Sequence, residues 1–143
     1  MLVSTILEAK GVQVATIPRT ATVGDAVGEL VRHRVGALVV SPGDGTIDGI
    51  VSERDVVHRL SQIREGLLSE PVSSIMSTDV RVCSPADGVD SVMTLMTEQR
   101  IRHVPVVSDG RLSGIISIGD VVKSRIGELE KDRNELMEYI TAR

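Results

Sequence analysis

"GIVSERD" at residues 49–55 and "GIISIGD" at residues 114–120 are one phrase written twice, 65 positions apart. Each copy runs Gly, two aliphatic residues, Ser, two variable residues, Asp. The aliphatic pair reads as the end of a buried strand. Ser followed by Asp three residues later reads as the opening of a helix. The Ser hydroxyl serves as N-cap and the carboxylate faces the positive end of the helix. A strand running straight into a capped helix is therefore specified at two places.

The repetition extends outward from that phrase. Ile47 aligns with Leu112, Gly49 with Gly114, Ser52 with Ser117, and Asp55-Val56-Val57 with Asp120-Val121-Val122. Upstream the offset becomes 66, where Val14 meets Val80, Val23 meets Val89, Arg34 meets Arg100 and Val35 meets Ile101. "VSTIL" at 3–7 is similar to "VSSIM" at 72–76, at an offset of 69. Two units of about 60 residues each bury a marginal core alone, so the units are expected to pack on one another.

Both units have the same local pattern. "VATI" (14–17) and "VRVC" (80–83) read as first strands. Residues 22–34 carry Val23, Ala26, Val27, Leu30 and Val31 at helical spacing, with Thr22 as N-cap and Asp25 at the third helical position. Val89, Val92, Met93 and Met96 give the counterpart helix over 87–100. "GALVV" (36–40) and "HVPVV" (103–107) are buried strands. "SPGDG" and "SDG" carry turn residues, and Asp44, Asp48 and Asp109 belong to turn chemistry. Strands through "TIDGIV" and "RLSGII" then feed the capped helices. The unit is β-α-β-β-α, given twice.

This ordered pattern resembles the cystathionine β-synthase (CBS) domain, and the tandem pair resembles a Bateman module, over about 120 residues. The resemblance implies a mixed α/β (α+β) fold. Two repeats, 1–68 and 69–125, would pack as a pseudo-twofold pair, with a C-terminal helical extension over 126–143. It also implies a regulatory module that binds an adenosine-containing ligand in the clefts between the repeats. AMP, ADP, ATP, S-adenosylmethionine and NAD are the ligands it brings, and a separate regulated protein is the implied partner. In the family the Asp of the repeated phrase holds the ribose, which carries over to Asp55 and Asp120.

The residues themselves leave cap and ligand grip both open. Thr22 and Asp25 make the same box where no ligand is expected. Gly49 and Gly114, however, bring backbone and helix N-terminus to one spot, a setting that suits an anion. A carboxylate there repels phosphate but accepts hydrogen bonds from both hydroxyls of a ribose. Ser52 and Ser117 flank those carboxylates. Arg54, beside a helix N-terminus, is either a solvated arginine or a phosphate contact. Arg102 and His103, where the first unit has Gly36 and Ala37, are either an ordinary strand edge or a basic wall for phosphates. Thr16, Ile17 and Pro18, with Val82 and Cys83 in the second unit, are the candidates for the adenine wall. Cys83 is equally a small buried apolar residue. A ligand-independent dimeric scaffold, with the boxes serving as caps alone, is the competing functional reading.

After the second unit, Val122, Ile126, Leu129, Arg133, Leu136 and Ile140 are spaced four and three apart in alternation. This heptad seam, with a polar break at Arg133, fits a helix packed on its own module or one paired across a homodimer.

Composition narrows the classes. The hydrophobic 41% is nearly all aliphatic, with one Tyr and no Trp or Phe. A net charge of −4 and the lack of aromatics oppose nucleic-acid binding. The single cysteine excludes an internal disulfide framework and suits a reducing compartment, so a cytoplasmic location is expected, with no membrane span. His33, His58 and His103 are scattered, with no metal-ligand spacing, and no nucleophile elbow, P-loop or GxGxxG occurs. A non-enzymatic protein without a required metal or cofactor is expected.

Overall fold

A computed structural model of the chain describes residues 1–142. Helix α1 spans Val3–Lys10 and is followed by a short strand β1, Thr16–Ile17. Helix α2 (Val23–His33), strands β2 (Ala37–Val40) and β3 (Gly49–Ser52) and helix α3 (Glu53–Gln62) complete the first repeat. Short 3₁₀ turns at Leu67–Ser69 and Val72–Ser74 lead to helix α4 (Val89–Gln99). Strands β4 (His103–Ser108) and β5 (Arg111–Ser117) and helix α5 (Ile118–Thr141) follow.

The fold is the expected mixed one: two small sheets with helices, and a C-terminal helix. In the first sheet β1 runs parallel to β2, and β2 is antiparallel to β3. In the second, β4 and β5 are antiparallel. The expected strand at 80–83 contracts to a parallel bridge between Cys83 and Val106. The β4–β5 connection is a two-residue turn with Asp109 at φ 52 and Gly110 at φ 75. Two positive φ values give the twist that joins antiparallel strands tightly.

The boxes at Thr22, Ser52 and Ser117 all form as caps. The Oγ atoms of Thr22, Ser52 and Ser117 accept from the backbone N–H groups of Asp25, Asp55 and Asp120, and each carboxylate accepts from its cap residue's own N–H. Helices α2 and α4 end on left-handed residues, Arg34 at φ 55 and Arg100 at φ 53. These are repeat partners, so the same strained stop is used twice.

The cores exchange segments. Ile17, Ala26, Leu30, Leu38, Val40 and Val51 make the first core, closed by Val72 with Ile75 and Met76 from beyond the 68/69 division. Val89, Val92, Met96, Val104, Val106, Ile116 and Val121 make the second, closed by Val3, Ile6 and Leu7 of α1. Each repeat lends its leading segment to the other's core. Helix α1 was not foreseen in the sequence, where "VSTIL" showed only as a repeat of "VSSIM".

Candidate functional site

The exchange places the leading segments on top of the repeated phrase. Ser77 N–H donates to Ile50 O at 2.9 Å, and Ile50 N–H donates to Ser77 O at 3.0 Å. The segment 77–81 thus lies along the edge of β3 and roofs the start of α3. This close approach explains the glycines. A Cβ on Gly49 would stand 2.7 Å from Ser77 O, and one on Gly114 2.8 Å from Leu7 Cδ2. Packing against the exchanged segment thus gives both glycines a steric reason, strict at Gly49, where the obstacle is backbone, and looser at Gly114, where it is the tip of a leucine.

Between the start of α3, the roof and residues 100–103 lies a cleft of about 760 Å³. Ser52, Arg54 and Asp55 enter from the first repeat, and Arg100, Arg102 and His103 from the second. Asp79, Val80 and Arg81 come from the roof. Arg54, Arg81, Arg100 and Arg102 put four guanidinium groups around the cleft, against the three carboxylates of Glu53, Asp55 and Asp79. Arg81 pairs with Asp79 at 3.4 Å, while Arg54, Arg100, Arg102 and Asp55 make no ion pair with any described residue. Asp55 Oδ2 accepts from Ser52 N–H at 2.8 Å and Ser52 O–H at 3.0 Å. The cleft is large enough for a nucleotide.

Gly36 shapes the far wall. A Cβ there would lie 3.1 Å from both Glu53 Oε1 and His103 Cε1. With no side chain at Gly36, the imidazole of His103 sits against the first repeat beside Glu53. Burial pushes the His103 pKa below its ordinary value. Glu53 and Asp120 oppose that shift, and Arg102 and Lys10 add to it. His103 is therefore a neutral hydrogen-bonding group near neutral pH.

The second phrase is placed differently. Asp120 Oδ2 accepts from Ser117 N–H at 2.8 Å and pairs with Lys10 Nζ at 2.7 Å. Burial alone would raise the Asp120 pKa, but the Lys10 ammonium and the Ser117 bonds hold it below the usual carboxylate value. Ser117 and Asp120 do not line the cleft at Asp55.

Neither do Thr16, Ile17, Pro18, Val82 and Cys83. Ile17 and Cys83 are buried in the first and second cores, and burial, with Asp87 nearby, pushes the Cys83 thiol up to about 11. The wall near Asp55 comes instead from Ser77, Asp79, Val80 and Arg81, to which the sequence assigned no site role. Their signal was the offset of 69 that aligns residues 3–10 with 72–79, ahead of the recognised strands. No group of three metal-ligating side chains occurs among the described residues. No described helix is long and apolar enough to cross a membrane.

Comparison with known proteins identifies the repeated unit. The family model described as "CBS domain" matches residues 9–62 and again 72–127. The CBS domain-containing protein CBSX3, mitochondrial, of Arabidopsis thaliana is 38% identical over 83% of this chain, which spans 60% of that relative's length. The crystal structure of the CBS-domain containing protein ATU1752 from Agrobacterium tumefaciens is 42% identical, with a TM-score of 0.85 over 87% of this chain and 99% of that one. The CBS domain protein PAE2072 from Pyrobaculum aerophilum, solved in complex with AMP, is 32% identical, with a TM-score of 0.74 over 84% of this chain and 89% of that one.

Proposed function

Because this chain belongs to the CBS-domain family, carrying the domain twice, we propose that it is a regulatory module that binds a phosphate-bearing adenosine ligand beside Ser52 and Asp55. The observation that carries this reading is the meeting of an unpaired carboxylate, Asp55, with guanidinium groups from both repeats in one cleft. Asp55 is the ribose acceptor. Arg54 and Arg102 are the phosphate contacts, and His103 donates or accepts at the same wall. The aliphatic side chains of Ile50 and Val80 flank the base. AMP in the Pyrobaculum relative supports this ligand class. The cationic cleft favours AMP, ADP, ATP or NAD over the sulfonium of S-adenosylmethionine.

A ligand that spans both repeats favours one relative placement of them, and its differential affinity for two placements is the signal. A separate protein reads that signal, in a reducing compartment such as the cytoplasm. No catalytic step is assigned to the chain. The seam of α5 supports a homodimer, since its apolar residues lie uncovered.

The scaffold reading keeps one observation in its favour: the boxes at Thr22, Ser52 and Ser117 are already satisfied as caps. Titration calorimetry and thermal unfolding with adenosine, AMP, ADP, ATP, NAD and S-adenosylmethionine separate the two. A phosphate-bearing ligand at 100 times its Kd should add about 2.7 kcal/mol of stability. Arg54→Ala should weaken AMP about tenfold or more and leave adenosine nearly unchanged, the loss of one charge-assisted contact. Silence from every ligand at millimolar concentration leaves the scaffold reading standing.

A further inference from the structure

We infer that Lys10 is a built-in occupant of the second Ser-x-x-Asp site, so that the chain takes one adenosine ligand rather than two. This rests on the reading of Asp55 as a ribose acceptor. The two halves differ where the leading segment meets the repeated phrase. Residues 3–10 align with 72–79, so Lys10 is the counterpart of Asp79. In the first half the helical segment stops at Ser74, and Ser77 hydrogen-bonds to Ile50 through its backbone. In the second half the helix continues to Lys10. The ammonium of Lys10 then donates to Ile115 O at 2.9 Å. Ile115 is the repeat partner of Ile50, so a side-chain cation takes over the carbonyl that a backbone N–H satisfies in the other half.

The same ammonium stands 2.7 Å from Asp120 Oδ2. It neutralises the charge that would strengthen bonds to ribose hydroxyls, and it occupies the space beside that carboxylate. The helix that carries the lysine is fixed in place. Helix α1 is anchored by Val3, Ile6 and Leu7 in the second core, and Leu7 packs on Gly114 next to the phrase itself. In the first half Asp79, at the equivalent place, carries the opposite charge and pairs with Arg81 rather than covering Asp55. The second half keeps Arg34, the repeat partner of Arg100, but has Gly36 and Ala37 in place of Arg102 and His103.

The test is the stoichiometry of AMP and ATP binding by titration calorimetry on the full chain. The variants are wild type, Asp55→Asn, Asp120→Asn, Lys10→Met and Lys10→Gln. Lys10→Met keeps the apolar stem, and Lys10→Gln keeps a donor for Ile115 O without the charge. Circular dichroism establishes that each is folded. Wild type should bind one equivalent, lost in Asp55→Asn and kept in Asp120→Asn. At least one folded Lys10 variant should bind a second equivalent, and adding Asp120→Asn should remove it. Two equivalents on wild type, or one equivalent lost in Asp120→Asn, would overturn the role of Lys10 while leaving the module a nucleotide binder. A single equivalent in both folded Lys10 variants also overturns it. Binding that appears only when Lys10 is replaced would uphold the plug and refute the ligand site at Asp55. Silence from every variant refutes both.

Discussion

Single residues decide where the two repeats are equivalent and where they are not. Gly49 and Gly114 are partners in sequence, yet an added methyl group meets backbone oxygen at Gly49 and the tip of a leucine at Gly114. A leucine can change rotamer, whereas a paired strand edge has to separate. Gly49→Ala should therefore destabilise by about 2–3 kcal/mol, and Gly114→Ala by about 1 kcal/mol or less, measured by urea unfolding. Equal losses would mean that the roof at Ser77 gives way as easily as Leu7. His103 carries a pH dependence of definite sign. Its folded pKa lies below the 6.5 of an unperturbed imidazole, so the unfolded chain holds the proton more tightly. Stability is complete above about pH 6.5 and falls as pH drops through that value, levelling off below the folded pKa. Urea midpoints between pH 7.5 and pH 5.5 should decline more in wild type than in His103→Gln, and parallel declines would remove His103 as the cause.

Among the elements, α1 and α5 differ from the other helices. Helix α1 is short, but its three buried residues belong to the core of the opposite repeat. Leu7→Ala should cost about 2–5 kcal/mol, the range for a large-to-small core change, despite lying seven residues from the start of the sequence. A loss under about 1 kcal/mol in chemical denaturation would show that α1 is only draped on the second repeat. Helix α5 is 24 residues long, about 36 Å, and Val121 is its one buried residue among those described. Ile126, Leu129, Leu136 and Ile140 are each more than half exposed, so the seam does not fold back onto its own module. Of the two readings open for the tail, pairing across a homodimer is the one we keep. Removing residues 126–143 should halve the mass seen by sedimentation velocity. A full-length monomer would refute the pairing, and a dimer that survives truncation would place the contact elsewhere.

The whole molecule is an interlock rather than two beads. The first core lacks Val72, Ile75 and Met76 if the chain is cut after residue 68, and the second lacks Val3, Ile6 and Leu7. Fragments 1–68 and 69–143, expressed separately, should each lack cooperative unfolding by circular dichroism, and the intact chain should unfold in one transition. A cooperative melt from either fragment would contradict the interlock. The same topology builds the cleft proposed to take a ligand, since one repeat supplies Asp55 and the other supplies Arg102, His103 and the roof. On the proposed function, ligand binding and repeat–repeat docking would be linked through this cleft.

The duplicated phrase determined a great deal without coordinates. Period-two and period-3.6 patterning placed helices α2 to α5 and strands β2 to β5, and Ser or Thr followed by Asp fixed three caps, because these are local rules satisfied within a few residues. The grouping of Ser52, Arg54 and Asp55 was legible for the same reason. Tertiary structure alone decided which carboxylate is open. Lys10 lies 110 residues from Asp120, and nothing local to either residue marks the pair. Residues 77–81, rather than 16–18 or 82–83, line the cleft because the leading segments cross to the opposite repeat. A sequence pattern records which side chains turn inward, but not whose core they enter.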